Sequence, residues 1–343
     1  MDIIIKAFNR PYYLDKCLQS IVRFVSNYKH HTIVVLDDGT PQVYLDKLLE
    51  KYPFINIKKS PFYKEKSEYC SSVLQQTNTV FRPSIPTLFW QTEIEKCSAY
   101  FLLLEEDMWF TSSVNLDSLL QNTEETNWVQ MKLYWLSNPL LISAKTEFKS
   151  KNYTLYEPNL PTTSGFWFTH VYDKKYRFKI HKLFTSLGIY SINKWLRFYS
   201  VYTVAGVIFH KNYYSYLWQN ATEQVNENAQ LKKAIQFYKK ASHKQQYAHT
   251  NKEVLRTGFC SASAPSENSI NSNFNVFIGN AILNNAWLNG FFKTDSNFDS
   301  DLDKDAIYTL LKNENHSLAK PENWQKFTNQ FVNQYTQLGC EIN

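Results

Sequence analysis

The chain runs to 343 residues with a net charge of +6, 16 % aromatic content and only 8 glycines. That length is ample for one large core with an appendage, and so little glycine argues against long flexible linkers. No apolar run reaches the roughly 18 residues of a membrane span, no basic-then-apolar leader is visible, and a modest charge without a recognised nucleic-acid module argues against nucleic acid as a partner.

The first element is a buried run, Ile3-Ile4-Ile5-Lys6-Ala7-Phe8, that stops at Asn9-Arg10-Pro11. Pro11 suits the first turn of a helix, with Asn9 or its neighbour able to cap it. Leu14, Cys17, Leu18, Ile21, Val22 and Val25 follow at i, i+3, i+4, i+7, i+8 and i+11, the spacing of a helix with one face on a core. A second run, Thr32-Ile33-Val34-Val35-Leu36, ends in Asp37-Asp38-Gly39-Thr40, completing a βαβ unit with polar residues at both strand ends. A helix over 43–51 and a short strand over 55–57 come next. The polar stretch 60–86, punctuated by Pro61, Pro83 and Pro86, reads as loop and helix, in which Lys64 or Lys66 could touch a bound phosphate, the plainer reading being that both are solvated lysines.

A third run, Ala99-Tyr100-Phe101-Leu102-Leu103-Leu104, ends abruptly in Glu105-Glu106-Asp107. Six residues without a charge, bounded by acids, read as a buried strand of a parallel sheet, and ligands of open α/β sheets sit beyond the carboxyl ends of the strands. Three carboxylates crowded there repel one another unless a cation lies among them, and a hard divalent ion with oxygen ligands is the natural one. Glu105 and Asp107 would project to one side, because strand side chains alternate.

In this order the three strand ends resemble those of family-2 glycosyltransferases with the GT-A fold. The opening strand and helix with Asn9-Arg10, the Asp37-Asp38-Gly39-Thr40 segment beside the family's Asp-Asp-Gly-Ser, and Glu105-Glu106-Asp107 at the place of its DxD motif carry the resemblance. It covers residues 1–110 well and 160–215 loosely. The fold it implies is α/β: a Rossmann-like nucleotide-binding sheet, mostly parallel, with helices on both faces. That GT-A domain would span 1–215, divided into a nucleotide-sugar half (1–110) and an acceptor half (111–215), with a mainly helical C-terminal region over 216–343. The implied activity is metal-dependent transfer of a sugar, with inversion, from a nucleotide-sugar (a UDP-sugar by default) to a glycan acceptor. Asn9, Arg10, Asp37, Asp38 and Glu106 would face the nucleotide. Glu105 and Asp107 would hold Mn2+ or Mg2+ as a Lewis acid on the diphosphate, Asp107 being the firmer ligand because Glu105 replaces the usual first Asp.

Further resemblances are looser. Val204-Ala205-Gly206-Val207-Ile208-Phe209-His210 reads as a late strand after which family members often place a His, and His210 as a ligand would favour Mn2+ over Mg2+. Thr163-Ser164-Gly165-Phe166-Trp167-Phe168 resembles the family's Gly-bearing acceptor segment, which puts Ser164, Gly165 and Trp167 at the acceptor. The acid that the family uses as general base is missing from Gly188 to Trp195, so the catalytic base is unassigned, with Glu157 and Asp173 as the nearest acids.

Over 228–244, Leu231, Ala234, Ile235 and Tyr238 form an apolar stripe, while Lys232, Lys233, Lys239, Lys240 and Lys244 crowd another side. Such a helix can rest on anionic lipid, which would suit a lipid-linked glycan acceptor and peripheral contact at the inner face of the membrane. The five cysteines (17, 70, 97, 260, 340) are odd in number and lack metal-type spacing, which fits a reducing, cytoplasmic setting. Past a Ser/Asn-rich section near 261–273, Phe274, Phe277, Ile278, Ala281 and Ile282 recur at helical spacing until Gly290. Two other functions compete. A sugar nucleotidyltransferase normally carries a Gly-rich phosphate loop where this chain has Phe8-Asn9-Arg10-Pro11, and a degenerate homologue would bind nucleotide-sugar or glycan without turnover.

Overall fold

The computed structural model describes all residues except 76–83, 122–126, 143–144, 174–180, 221, 223–224, 241–245, 264–272, 293–296 and 343, and the side chain of His181. Much of the Ser/Asn-rich section and Lys244 lie outside the described residues.

Nine strands form one sheet: β1 (Asp2–Ala7), β2 (Thr32–Asp37), β3 (Ile55–Lys59), β4 (Tyr100–Glu105), β6 (Trp128–Lys132), β7 (Thr146–Lys149), β8 (Tyr153–Tyr156), β9 (Val207–His210) and β10 (Gln246–Thr250). Their order is β3-β2-β1-β4-β9-β6-β10-β8-β7. Seven run one way, and only β9 and β8 are reversed. β5 (Met108–Phe110) pairs separately with β11 (Leu255–Thr257).

The alternation of side chains sorts the strand residues into two cores. Ile3, Ile5, Ile33, Val35, Leu102 and Leu104 pack with α1 (Pro11–Phe24), α2 (Gln42–Lys51) and three late helices, α11 (Val276–Leu288), α12 (Lys304–Glu314) and α13 (Pro321–Gln337). Ile4, Leu36, Phe101, Leu103, Val207 and Phe209 pack on the other side with α4 (Thr87–Glu95), α9 (Lys211–Trp218) and α10 (Glu227–Lys240). Helices thus cover both faces of an α/β sheet, and the apolar runs that name β1, β2 and β4 are buried on both sides, as parallel strands require.

Several local expectations shift. Leu14, Cys17, Leu18 and Ile21 form the buried face of α1, but Val22 is exposed. No side chain caps that helix; Asn9 instead takes a left-handed backbone, and its carbonyl and Oδ1 accept hydrogen bonds from Asn284 of α11 at 3.2 and 3.0 Å. The stripe Leu231, Ala234 and Ile235 of α10 is turned into the core, so that apolar face is not offered to a membrane. The sheet also does not stop near residue 215: β10 is inserted between β6 and β8, tying part of the C-terminal region into the central sheet.

Candidate active site

A cavity of about 1070 Å³ opens beyond the carboxyl ends of β1, β2, β4 and β6. Its charged wall is made by Lys6, Arg10, Asp38, Lys66 and Glu105-Glu106-Asp107. The register of β1 on β4 sets Lys6 opposite Glu105, and Lys6 Nζ lies 2.9 Å from Glu105 Oε1. Arg10, buried where β1 turns into α1, spreads its fork over the next two acids. Nε and Nη2 each reach Glu106 Oε1 at 2.8 Å, while Nη1 reaches Asp107 Oδ2 at 2.9 Å and the Ser261 carbonyl at 3.0 Å. The cations that let three carboxylates crowd one strand end are therefore protein side chains 96 to 99 residues earlier in the chain. Burial pushes the Glu106 carboxyl up to about 7, against the pull of Arg10 and with the repulsion of Asp107 and Glu105. Burial likewise raises Asp107, whereas for Glu105 the Lys6 ion pair outweighs burial and lowers it.

The β2 turn divides its two aspartates. Asp37 is fully buried: Oδ1 accepts from the Gly39 and Thr40 amides at 3.0 and 2.9 Å, and Oδ2 from the Thr40 hydroxyl at 2.5 Å. It does not line the cavity, so Asp37 builds the turn rather than touching a nucleotide. Asp38 does face the cavity, with Ser60 Oγ donating at 2.5 Å and buried Lys66 forming an ion pair that also reaches the Ser84 carbonyl. Lys66 is thus a site residue and not a solvated one. Gly39 has φ +136°, and a Cβ there would collide with Lys66; a side chain would push the lysine off Asp38. Burial raises the Asp37 carboxyl to about 6, so its share of stability is full below the ordinary value of 3.8 and is lost as pH rises through 6. Asp37→Asn keeps the amide acceptor and should leave urea stability near wild type at pH 7. Asp37→Ala strands two amides and should cost about 1–3 kcal/mol. Equal midpoints for the two variants would remove Asp37 from the turn.

Further expected site assignments are corrected. β9 runs antiparallel to β4 and pairs His210 with Tyr100, at the far end of the strand from Glu105. Five residue steps separate the two ends, roughly 17 Å at strand rise. His210 cannot share an ion with Asp107; its Nδ1 accepts from the Asn212 amide to cap α9, and its ring packs 4.9 Å from Tyr100. Ser164, Gly165 and Trp167 form a short helical turn, α6 (Gly165–Trp167, capped by Ser164), none of which lines the cavity. Asn9 bonds Thr40 through its backbone amide and Asn284 through its Oδ1, and also does not line it. Glu157 pairs with Lys145 and Asp173 accepts from Asn228 at 3.2 Å, and neither reaches the cavity.

An aromatic wall of the cavity is one that sequence reasoning missed. The turn α8 (Ile192–Leu196) supplies Trp195 and Leu196, and Tyr199, Glu227 at the start of α10, Phe331, Gln334 and Tyr335 of α13, and Leu338 just after that helix complete it. Glu227 accepts a hydrogen bond from Tyr199. Lys132, at the end of β6, donates to the Leu141 and Tyr199 carbonyls, and burial lowers its pKa to about 7. Trp135 holds a left-handed backbone (φ 62°), rare for so bulky a residue, with its ring 5.1 Å from Tyr335. No sequence spacing links these residues; the fold alone gathers them.

A divalent ion fits the charged wall in a limited way. Among the described residues no three His, Cys, Asp or Glu side chains gather as an enclosing ligand set. Asp107 Oδ1, however, is buried without a hydrogen-bond partner, and Glu105 is 35 % exposed towards the cavity. One or two carboxylates suffice for Mg2+ or Mn2+ when phosphate and water supply the rest.

No protein-family model matches the chain, and no curated protein matches it in sequence. Among solved structures it is similar to S. aureus TarS 1-349 in complex with UDP, at 10 % identity and a TM-score of 0.41 over 90 % of this chain and 70 % of that one. The same protein in complex with UDP-GlcNAc aligns at 13 % identity and a TM-score of 0.39, over 90 % and 71 %. Glucosyl-3-phosphoglycerate synthase from Mycobacterium tuberculosis aligns at 10 % identity and a TM-score of 0.30, over 63 % of this chain and 58 % of that one.

Proposed function

We propose that the protein is a GT-A-type glycosyltransferase that moves a sugar from a nucleotide-sugar, a UDP-sugar by preference, to a glycan hydroxyl with inversion. The observation that carries this reading is a single cavity lined both by charged strand ends and by an aromatic group of residues that bears one carboxylate. Asp38 is assigned to the base or ribose, held in place by Lys66 and Ser60. Asp107 Oδ1 and Glu105 would hold Mn2+ or Mg2+, which when bound neutralises the departing diphosphate. Arg10 positions Asp107 and Glu106 and does not itself meet the nucleotide, because its fork is filled by Glu106, Asp107 and Ser261. Trp195 and Tyr199 offer rings on which a sugar can stack.

Deprotonating the acceptor needs a base within reach of it. Asp38, Glu105, Glu106 and Asp107 each have a carboxylate oxygen tied up in an ion pair with a buried Lys or Arg, so that oxygen is not open to take the proton of an acceptor hydroxyl. Glu227 faces a tyrosine hydroxyl on the aromatic wall and is assigned as the general base. All five cysteines are free thiols, which suits the reducing, cytoplasmic setting we assign.

Calorimetry of UDP with and without Mn2+ tests the donor side. Asp38→Asn should weaken UDP by about 1.5–3 kcal/mol, as for a charged hydrogen bond. Asp107→Asn should remove the gain that Mn2+ gives while leaving metal-free binding intact. Failure of the wild type to bind any nucleoside diphosphate would overturn the proposal, and binding without turnover on any glycan would reduce it to a binding protein.

A further inference from the structure

Among the described residues, the two most exposed large apolar side chains, Phe166 at 68 % and Leu187 at 61 %, fall within one stretch with Trp167, Leu183 and Ile192. They belong to three short helical turns, α6, α7 (His181–Ser186) and α8, with Leu187 directly after α7. These turns form one layer. Phe168 and Tyr172, which follow α6, each place their rings 4.9 Å from Phe198, which follows α8. The Ile189 and Tyr190 amides close α7 by donating to the Phe184 carbonyl at 2.8 and 3.0 Å, and Tyr190 lies 5.9 Å from Tyr172. Lys194 of α8 reaches back to the Gly188 carbonyl at 2.6 Å. The inner side of this layer is anchored in the core, while its outer side chains stay in solvent.

The same stretch is strongly basic. Between residues 158 and 199 the sequence holds seven Lys and Arg against one acid, Asp173, so this segment alone equals the net charge of +6 of the whole chain. Among the described residues, exposed Lys182 and the partly exposed Lys194 and Arg197 lie within the layer, and Lys232 of α10 borders Gly165. Apolar side chains ringed by cations are the pattern of a surface that enters the headgroup region of an anionic bilayer. A soluble polyanion would use the charges but gain nothing from Phe166, Trp167, Leu183 and Leu187.

We propose that α6, α7 and α8 dock this protein on an anionic lipid surface. No helix among the described residues is long and apolar enough to cross a membrane, so the contact is peripheral. α8 presents Ile192 outward while Trp195 and Leu196 line the cavity, so docking sets the aromatic wall beside the bilayer. An acceptor anchored in lipid would arrive there. That last step rests on the transferase reading; the docking does not.

Vesicle flotation of the full chain tests it, with phosphatidylcholine vesicles made with and without phosphatidylglycerol. The wild type should float only with the anionic vesicles. Trp167→Ser/Leu187→Ser should lower binding by on the order of tenfold or more, and Lys182→Gln by about fivefold. Thermal melts equal to wild type would confirm that these exposed substitutions leave the fold alone, and UDP affinity should not change. Equal binding to both vesicle types, or binding indifferent to the apolar pair, would overturn the proposal. So would a wild-type dimer that the apolar pair converts to a monomer, since a second copy would then cover the patch.

Discussion

Arg10→Met should cost about 3–5 kcal/mol of folding stability, because it leaves Glu106 and Asp107 buried with no compensating charge. Arg10→Lys should recover only part of that loss, since a single ammonium cannot span Glu106, Asp107 and the Ser261 carbonyl together. The loss must also depend on pH. In the wild type the Glu106 carboxyl is raised from 4.5 to about 7, so its stabilising share is full below pH 4.5 and disappears as pH rises through 7. Without Arg10 both acids rise further, and the deficit of the Met variant should shrink on acidification as they protonate. Urea unfolding across pH 4 to 8 measures this. A deficit below about 1 kcal/mol, or one independent of pH, would mean that the Arg10 pairs are solvated and not buried.

Glu227→Gln should lower kcat by about 10² to 10⁴-fold, the usual worth of a positioned base. KM for the donor should stay near wild type, because the donor is assigned to Asp38 and Asp107 and not to Glu227. The acidic limb of the pH–rate profile, where the base loses activity by protonation, should disappear in the variant. UDP affinity serves as the control for folding. A kcat within threefold of wild type, a change of about 0.6 kcal/mol, would return the base to the unassigned state in which the sequence leaves it.

The part of the fold that was legible in the sequence is the part whose signals are local. Uncharged runs ending in polar residues mark β1, β2 and β4, and the 3.6-residue spacing from Leu14 to Ile21 marks α1. That Asp38 and Asp107 stand at strand ends is legible for the same reason, since each follows closely where such a run stops. Strand direction has no such signal. The run Val207–Phe209 is as apolar in an antiparallel strand as in a parallel one, so His210 was placed at the wrong end of the sheet. Pairing has none either: the crowded acids require a cation, and nothing near Glu105 in the sequence says that it comes from Lys6 and Arg10 rather than from a metal. Glu227 has no signal in the sequence and Lys66 only an ambiguous one, phosphate contact or solvated lysine, because their neighbours in the chain are polar and ordinary; a turn that excludes any side chain at Gly39, and a helix start that meets Tyr199, give them meaning.

The insertion of β10 between β6 and β8 sets the order in which this molecule can come into being. The four strands β3-β2-β1-β4 find their partners within the first 105 residues and can assemble while the ribosome is still at work. β6 must wait more than a hundred residues for β10, and the aromatic wall waits longer still, until α13 has emerged. Such distant parallel pairings are slow to form, and an open β6 edge in the meantime is a template for other chains. The nucleotide half can therefore be native before a closed cavity exists, and a nascent chain halted between β9 and β10 is the form most exposed to aggregation and most in need of a chaperone.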